Sequence, residues 1–96
     1  MIMHIVMWKF KDENKEENMN TFKNMLMALP PIIPEVKHME VGVEVKLNQG
    51  NYDMVLVSEF KSIEDLEKYK NHPEHQKVAE FCKGVRTERA SVDYEV

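Results

Sequence analysis

Met3-His4-Ile5-Val6-Met7-Trp8-Lys9-Phe10 carries large or apolar side chains in both of its alternating sets: His4, Val6, Trp8 and Phe10 in one, Met3, Ile5 and Met7 in the other. Successive side chains of a strand point to opposite faces, so this run predicts a strand covered on both sides, inside its sheet. A second such run, Tyr52 to Phe60, has Met54 and Leu56 in one set and Val55 and Val57 in the other. Two central strands are therefore expected.

Two further stretches bury one face only. From Val36 the chain alternates Val41, Val43, Val45 and Leu47 against Glu40, Gly42, Glu44 and Lys46, and the turn Asn48-Gln-Gly-Asn51 joins it as a hairpin to the run beginning at Tyr52. Arg89 to Val96 alternates Ala90, Val92, Tyr94 and Val96 against Arg89, Ser91, Asp93 and Glu95. Glu40, Glu44, Asp93 and Glu95 are expected on solvated strand faces, where carboxylates at a barrel rim would disfavour acidic ligands.

Helices fill the gaps. After the charged turn Lys11 to Glu17, Met19, Phe22, Leu26 and Leu29 recur at spacings of three and four until Pro30, Pro31 and Pro34 stop the helix. Ser62 can cap a second helix, with Ile63, Leu66 and Tyr69 on one face. His72-Pro73 interrupts it, because a residue before proline is pushed out of the α region while proline suits the first position of a new helix. Val78, Phe81, Cys82 and Val85 form the stripe of a short third helix, with Gly84 at its expected end.

The order βαββα(α)β, with two central strands between two edges, predicts an α+β, ferredoxin-like protomer whose four-stranded antiparallel sheet runs 4-1-3-2. Helices cover one face of such a sheet. The second apolar face then needs a second copy, which makes the expected molecule a homodimer, a dimeric α/β-barrel.

Ninety-six residues suit one domain, 1–96. Thirteen Lys and Arg against seventeen Asp and Glu give a net charge of −4 without a basic block, which argues against nucleic acid as a partner. No apolar stretch reaches the roughly 18 residues that span a bilayer, so no membrane partner is expected. Met1 to Trp8 lacks the basic leader and small-residue cleavage site of a signal peptide, and the one cysteine, Cys82, favours a reducing, cytoplasmic setting.

Particular residues also carry a resemblance. They are His4-Ile-Val-Met-Trp-Lys-Phe-Lys-Asp12, Ile33-Pro-Glu-Val36, Tyr52-Asp53, Phe60 with Ser62-Ile63-Glu-Asp-Leu66, Tyr69-Lys-Asn-His72-Pro-Glu-His75 and Val92-Asp-Tyr94. Together, over essentially the whole chain, the sequence resembles the stress-responsive dimeric α/β-barrel (Dabb) family. The resemblance implies a ferredoxin-like protomer that dimerises through its sheet. One branch of that family, plant polyketide cyclases, closes a linear thioester by aldol chemistry, and its tyrosine and two histidines match Tyr69, His75 and His4. A further pocket tyrosine of that branch falls at Leu26.

Aldol closure needs a base beside a carbonyl and a donor for the developing oxyanion, and histidine and tyrosine are suited to these roles near neutrality. The candidate catalytic residues are accordingly His75 as base, Tyr69 as orienter or donor, and His4. Val6, Trp8 and His72 are the candidate pocket residues. Each has a structural alternative: Tyr69 and Trp8 as core, His4 as a hydrogen-bonded strand histidine, His72 as a helix cap.

His72 and His75 lack the i, i+4 spacing of paired ligands on one helix face, and one cysteine cannot build a zinc cluster. No metal and no cofactor is expected. Cys82, beside Phe81 on an apolar stripe, reads as an inert thiol. The leading expectation is a homodimer that binds a small, largely apolar molecule in its barrel, with its activity unassigned. A cyclase or lyase stands second, and a haem-type monooxygenase of similar architecture third.

Overall fold

The computed structural model describes residues 1–45 and 50–96. Strand β1 (Ile2–Phe10) leads into helix α1 (Lys15–Met27), strands β2 (His38–Val43) and β3 (Met54–Phe60), helices α2 (Ile63–Asn71) and α3 (Pro73–Val85), and strand β4 (Arg86–Glu95). The sheet is antiparallel in the order β2-β3-β1-β4. The two-faced runs are the central strands, as their patterning requires.

One face of β1 lies under the helices. Ile2, His4, Val6, Trp8 and Phe10 are all buried there, as are Met54, Leu56, Ser58 and Phe60 of β3. Phe22 of α1 packs edge-on against Trp8, with ring centroids 4.8 Å apart, and Leu26 lies one helical turn further on. Asp53 braces the start of β3. Its amide donates to the Trp8 carbonyl at 2.8 Å, while its buried carboxylate accepts from the Phe10 amide at 2.8 Å and lies 3.2 Å from Lys15 Nζ.

The two edge strands turn their apolar sets to opposite faces. Met39, Val41 and Val43 of β2 pair with Ser58, Leu56 and Met54, on the helix side. In β4, Ala90, Val92 and Tyr94 pair with Met7, Ile5 and Met3, on the open side, which puts Arg89, Ser91 and Asp93 under the helices. Asp93, expected on a solvated strand face, is exposed there, and it also lies opposite His4 and bonds to it.

Element boundaries also shift. The period-two pattern outlasts the ladder, since β2 stops at Val43 and Val45 is 90% exposed; Leu47 and the first part of the expected turn at 48–51 lie outside the described residues. β3 starts at Met54 rather than Tyr52. Gly84 sits within α3, and β4 begins at Arg86, directly after the helix.

Candidate functional site

A break between two helices positions the site. His72 is extended at φ −66° and ψ 134°, its amide bonds to the Tyr69 carbonyl at 3.2 Å, and its Nδ1 accepts from the Glu74 amide at 3.1 Å. Pro73 then occupies the first turn of α3, where its missing N–H costs nothing. His75 comes two residues later, in the same first turn, and its Nδ1 lies 3.1 Å from the Lys70 carbonyl. A carbonyl only accepts, so Nδ1 carries the proton and Nε2 keeps its lone pair in the neutral ring. The bond also satisfies one of the carbonyls left unpaired at the end of α2.

Tyr69, one turn before the break, is fully buried. Its ring centroid is 4.4 Å from that of His75, 5.1 Å from Phe60 and 6.3 Å from His4. Its hydroxyl has no hydrogen-bond partner among the described residues. A buried hydroxyl without a partner costs about 1–3 kcal/mol, a cost relieved when something else in the cavity accepts its proton. Burial also pushes the phenol well above its ordinary range, so it remains a neutral donor.

His4 meets Asp93 across the β1–β4 pair, Nδ1 to Oδ1 at 2.5 Å. Burial lowers the His4 pKa, against the opposing hydrogen bond and charge of Asp93, so the ring is neutral near pH 7 and donates from Nδ1. For Asp93, burial acts upward, but the bond to His4 and the charges of His4 and Lys70 together hold the carboxyl below its usual range. Lys70 Nζ stands 3.7 Å from its second oxygen. His75 is likewise lowered, first by burial, against its bond to Lys70, and further by the fields of His4, Arg89 and Lys70.

These groups converge on one cavity of about 310 Å³ between the sheet and the helices. His4, Tyr69 and His75 line it together with Val6 and Trp8, while Phe22, Leu26, Leu56, Val78 and Ala79 add to its apolar wall. His72 is not among the lining residues; its ring is spent on the α3 cap. The cavity lies within one chain, on the helix side, not on the open face of the sheet. Cys82 also lines it, with its thiol pushed up to about 11 by burial and therefore protonated.

Besides apolar wall residues, three charged lining residues escaped the sequence reading: Lys83, Arg86 and Arg89. They put cations at the cavity, whereas the sequence reading weighed only carboxylates, on solvated strand faces. The alternating pattern of β4 held the available signal, since Arg89 shares a set with Ser91 and Asp93, but periodicity alone does not say which set faces the helices. Asp93 was missed as a histidine partner for the same reason. Among the described residues no group of three His, Cys, Asp or Glu side chains is placed to hold a metal ion.

The model of the stress responsive A/B barrel domain family matches residues 2–96. Olivetolic acid cyclase of Cannabis sativa is 32% identical over 76 residues, which cover 77% of this chain and 75% of that protein. Among solved structures, a dimeric protein of ferredoxin-like fold from Bacteroides fragilis is 36% identical, superimposes with a TM-score of 0.89 and covers 99% of this chain and 95% of its own. A dimeric ferredoxin-like protein from Thermobifida fusca is 25% identical with a TM-score of 0.89, covering 99% and 90%.

Proposed function

Because the chain belongs to the stress responsive A/B barrel domain family, we propose that it is a homodimer binding a small, largely apolar carbonyl compound under its helices, with His75 as base and Tyr69 as donor. The observation that carries this reading is the buried, unpartnered Tyr69 hydroxyl beside a histidine whose Nε2 is uncommitted, both on one apolar cavity. His75 Nε2 takes the proton from the carbon next to the carbonyl, and the C–H electron pair forms the enolate. Tyr69 donates its hydrogen bond to the enolate oxygen, and the carbon attacks a second carbonyl, whose alkoxide recovers the proton from His75. His4, held by Asp93, offers a second uncommitted Nε2 to the same cavity. The family relative named as a cyclase supports chemistry of this class. Leu26, on the cavity wall, brings no hydroxyl of its own, so the same substrate as that relative is not proposed.

Dimerisation is proposed from the open face, where Val57, Ile5 and Val92 form one cross-strand row and Val55, Met7 and Ala90 another. Relatives described as dimeric support it. The single cysteine, buried and protonated, fits a reducing compartment such as the cytoplasm.

The chain's one tryptophan, Trp8, lines the cavity, so its fluorescence reads occupancy directly. A medium-chain methyl ketone is expected to change Trp8 emission and to exchange its α-protons in D2O faster than in buffer. His75→Ala should slow that exchange by about 10²–10⁴. Tyr69→Phe, which removes only the unpartnered hydroxyl, should slow it too while leaving the protein as stable or slightly more so. Exchange equal to buffer, or unchanged in His75→Ala, would sink the proposal.

A further inference from the structure

Arg86 and Arg89 are three apart in β4, and in a regular strand residues an odd number apart point to opposite faces. Here they do not. Phe10 pairs with Arg86 but Lys9 pairs with Glu88, so Thr87 is an extra residue, and the ladder then resumes with Trp8 opposite Arg89. The Thr87 hydroxyl donates to the Lys9 carbonyl at 3.3 Å across this bulge. One inserted residue reverses the parity, and both arginines line the cavity under the helices. Lys83 joins them from the last turn of α3.

The three cations gather on one cavity in a chain of net charge −4. Among the described residues neither Arg86 nor Arg89 has a carboxylate within 4.0 Å, and Lys83 only reaches Glu80 at that limit. Asp93, further along the same face, is already engaged by His4 and Lys70. Glu88, between the two arginines, pairs with Lys9 at 3.7 Å on the other side of the sheet. Among the described residues the two guanidinium groups thus have no carboxylate partner; Arg89 bonds only to the Ser91 hydroxyl, at 3.4 Å.

We propose that Arg86, Arg89 and Lys83 form an anion subsite at the edge of the cavity, so that the ligand is an apolar carbonyl compound carrying one carboxylate or phosphate group. This inference rests on the small-molecule reading above and adds a polarity to it: the anion sits at the cationic edge, and the carbonyl lies deeper, toward Tyr69 and His75. Guanidinium groups suit this role because their planar fork matches a carboxylate or phosphate with paired hydrogen bonds.

Trp8 fluorescence titrations with three probes test it: a medium-chain keto acid, its methyl ester, and the phosphate monoester of the matching keto alcohol. The wild type should bind at least one charged form about tenfold or more tighter than the neutral ester, as expected for a charge-assisted contact, and whichever form prefers the site identifies the source of the anion. Arg86→Gln and Arg89→Gln should each reduce that preference, and the triple variant that adds Lys83→Gln should abolish it, with the charged probes losing far more affinity than the ester. Added salt should weaken only the charged probes. Equal affinity for charged and neutral probes in the wild type, or a preference that survives in the folded triple variant, overturns the subsite alone. Failure of all three probes to bind overturns the small-molecule reading together with it.

Discussion

At His4, burial and the Asp93 carboxylate pull the imidazole in opposite directions, and burial prevails. His75 is lowered by burial too. Both native pKa values therefore lie below the ordinary 6.5, and the unfolded chain binds protons that the native state refuses. With more protons on the unfolded side, stability rises with pH across that window, is fully present above about 6.5, and is lost as pH falls toward the native values. Asp93 adds a second acid-side loss below its ordinary 3.8, because its native carboxyl is depressed. Denaturant midpoints measured from pH 7 to pH 5 are expected to fall, and His4→Gln with His75→Gln should flatten the profile. A midpoint that rises on acidification over this range would contradict the assignment of both rings as buried and neutral.

Between α2 and α3 the same short run, Tyr69 to His75, serves architecture and site together. His72 caps α3 and Pro73 starts it, and this corner brings the His75 ring against Tyr69. His72→Ala should cost about 1 kcal/mol, the usual loss of a helix cap, while binding of a neutral ketone at Trp8 stays within about twofold. Thermal denaturation and fluorescence titration separate the two effects; a large loss of affinity without a loss of stability would return His72 to the ligand. At β4 the bulge at Thr87 has comparable weight, since one extra residue decides whether Arg86 faces the cavity or the open side of the sheet.

For the whole molecule, the open face of the sheet is the largest unmet demand. Val92 and Tyr94 are 55% and 46% exposed there, beside the rows centred on Ile5 and Met7. A face of this kind left in water favours association, and an interface of that type is inseparable from protomer stability. Ile5→Asp, at the centre of the middle row, should shift sedimentation equilibrium toward monomer and lower the melting temperature in parallel. A variant that stays fully dimeric with an unchanged melting temperature would mean that the partner binds elsewhere.

The local pattern by itself determined the elements, the centrality of β1 and β3, the 4-1-3-2 order and the open apolar face, because these follow from residue periodicity and from the short connections between neighbours. His4, Tyr69 and His75 were singled out by the family resemblance, carried by the strand-one histidine and the Tyr-x-x-His-Pro-x-His run, which are visible without coordinates. What only the tertiary structure decided is which of two equivalent faces each edge strand turns toward the helices. Periodicity of two divides a strand into sets but leaves their direction open, and in β4 one bulge residue changes even the division. The His4–Asp93 bond and the placement of Arg86 and Arg89 depend on pairing across more than seventy residues of chain. Such contacts are properties of register, and register is set by how the strands meet rather than by any stretch read alone.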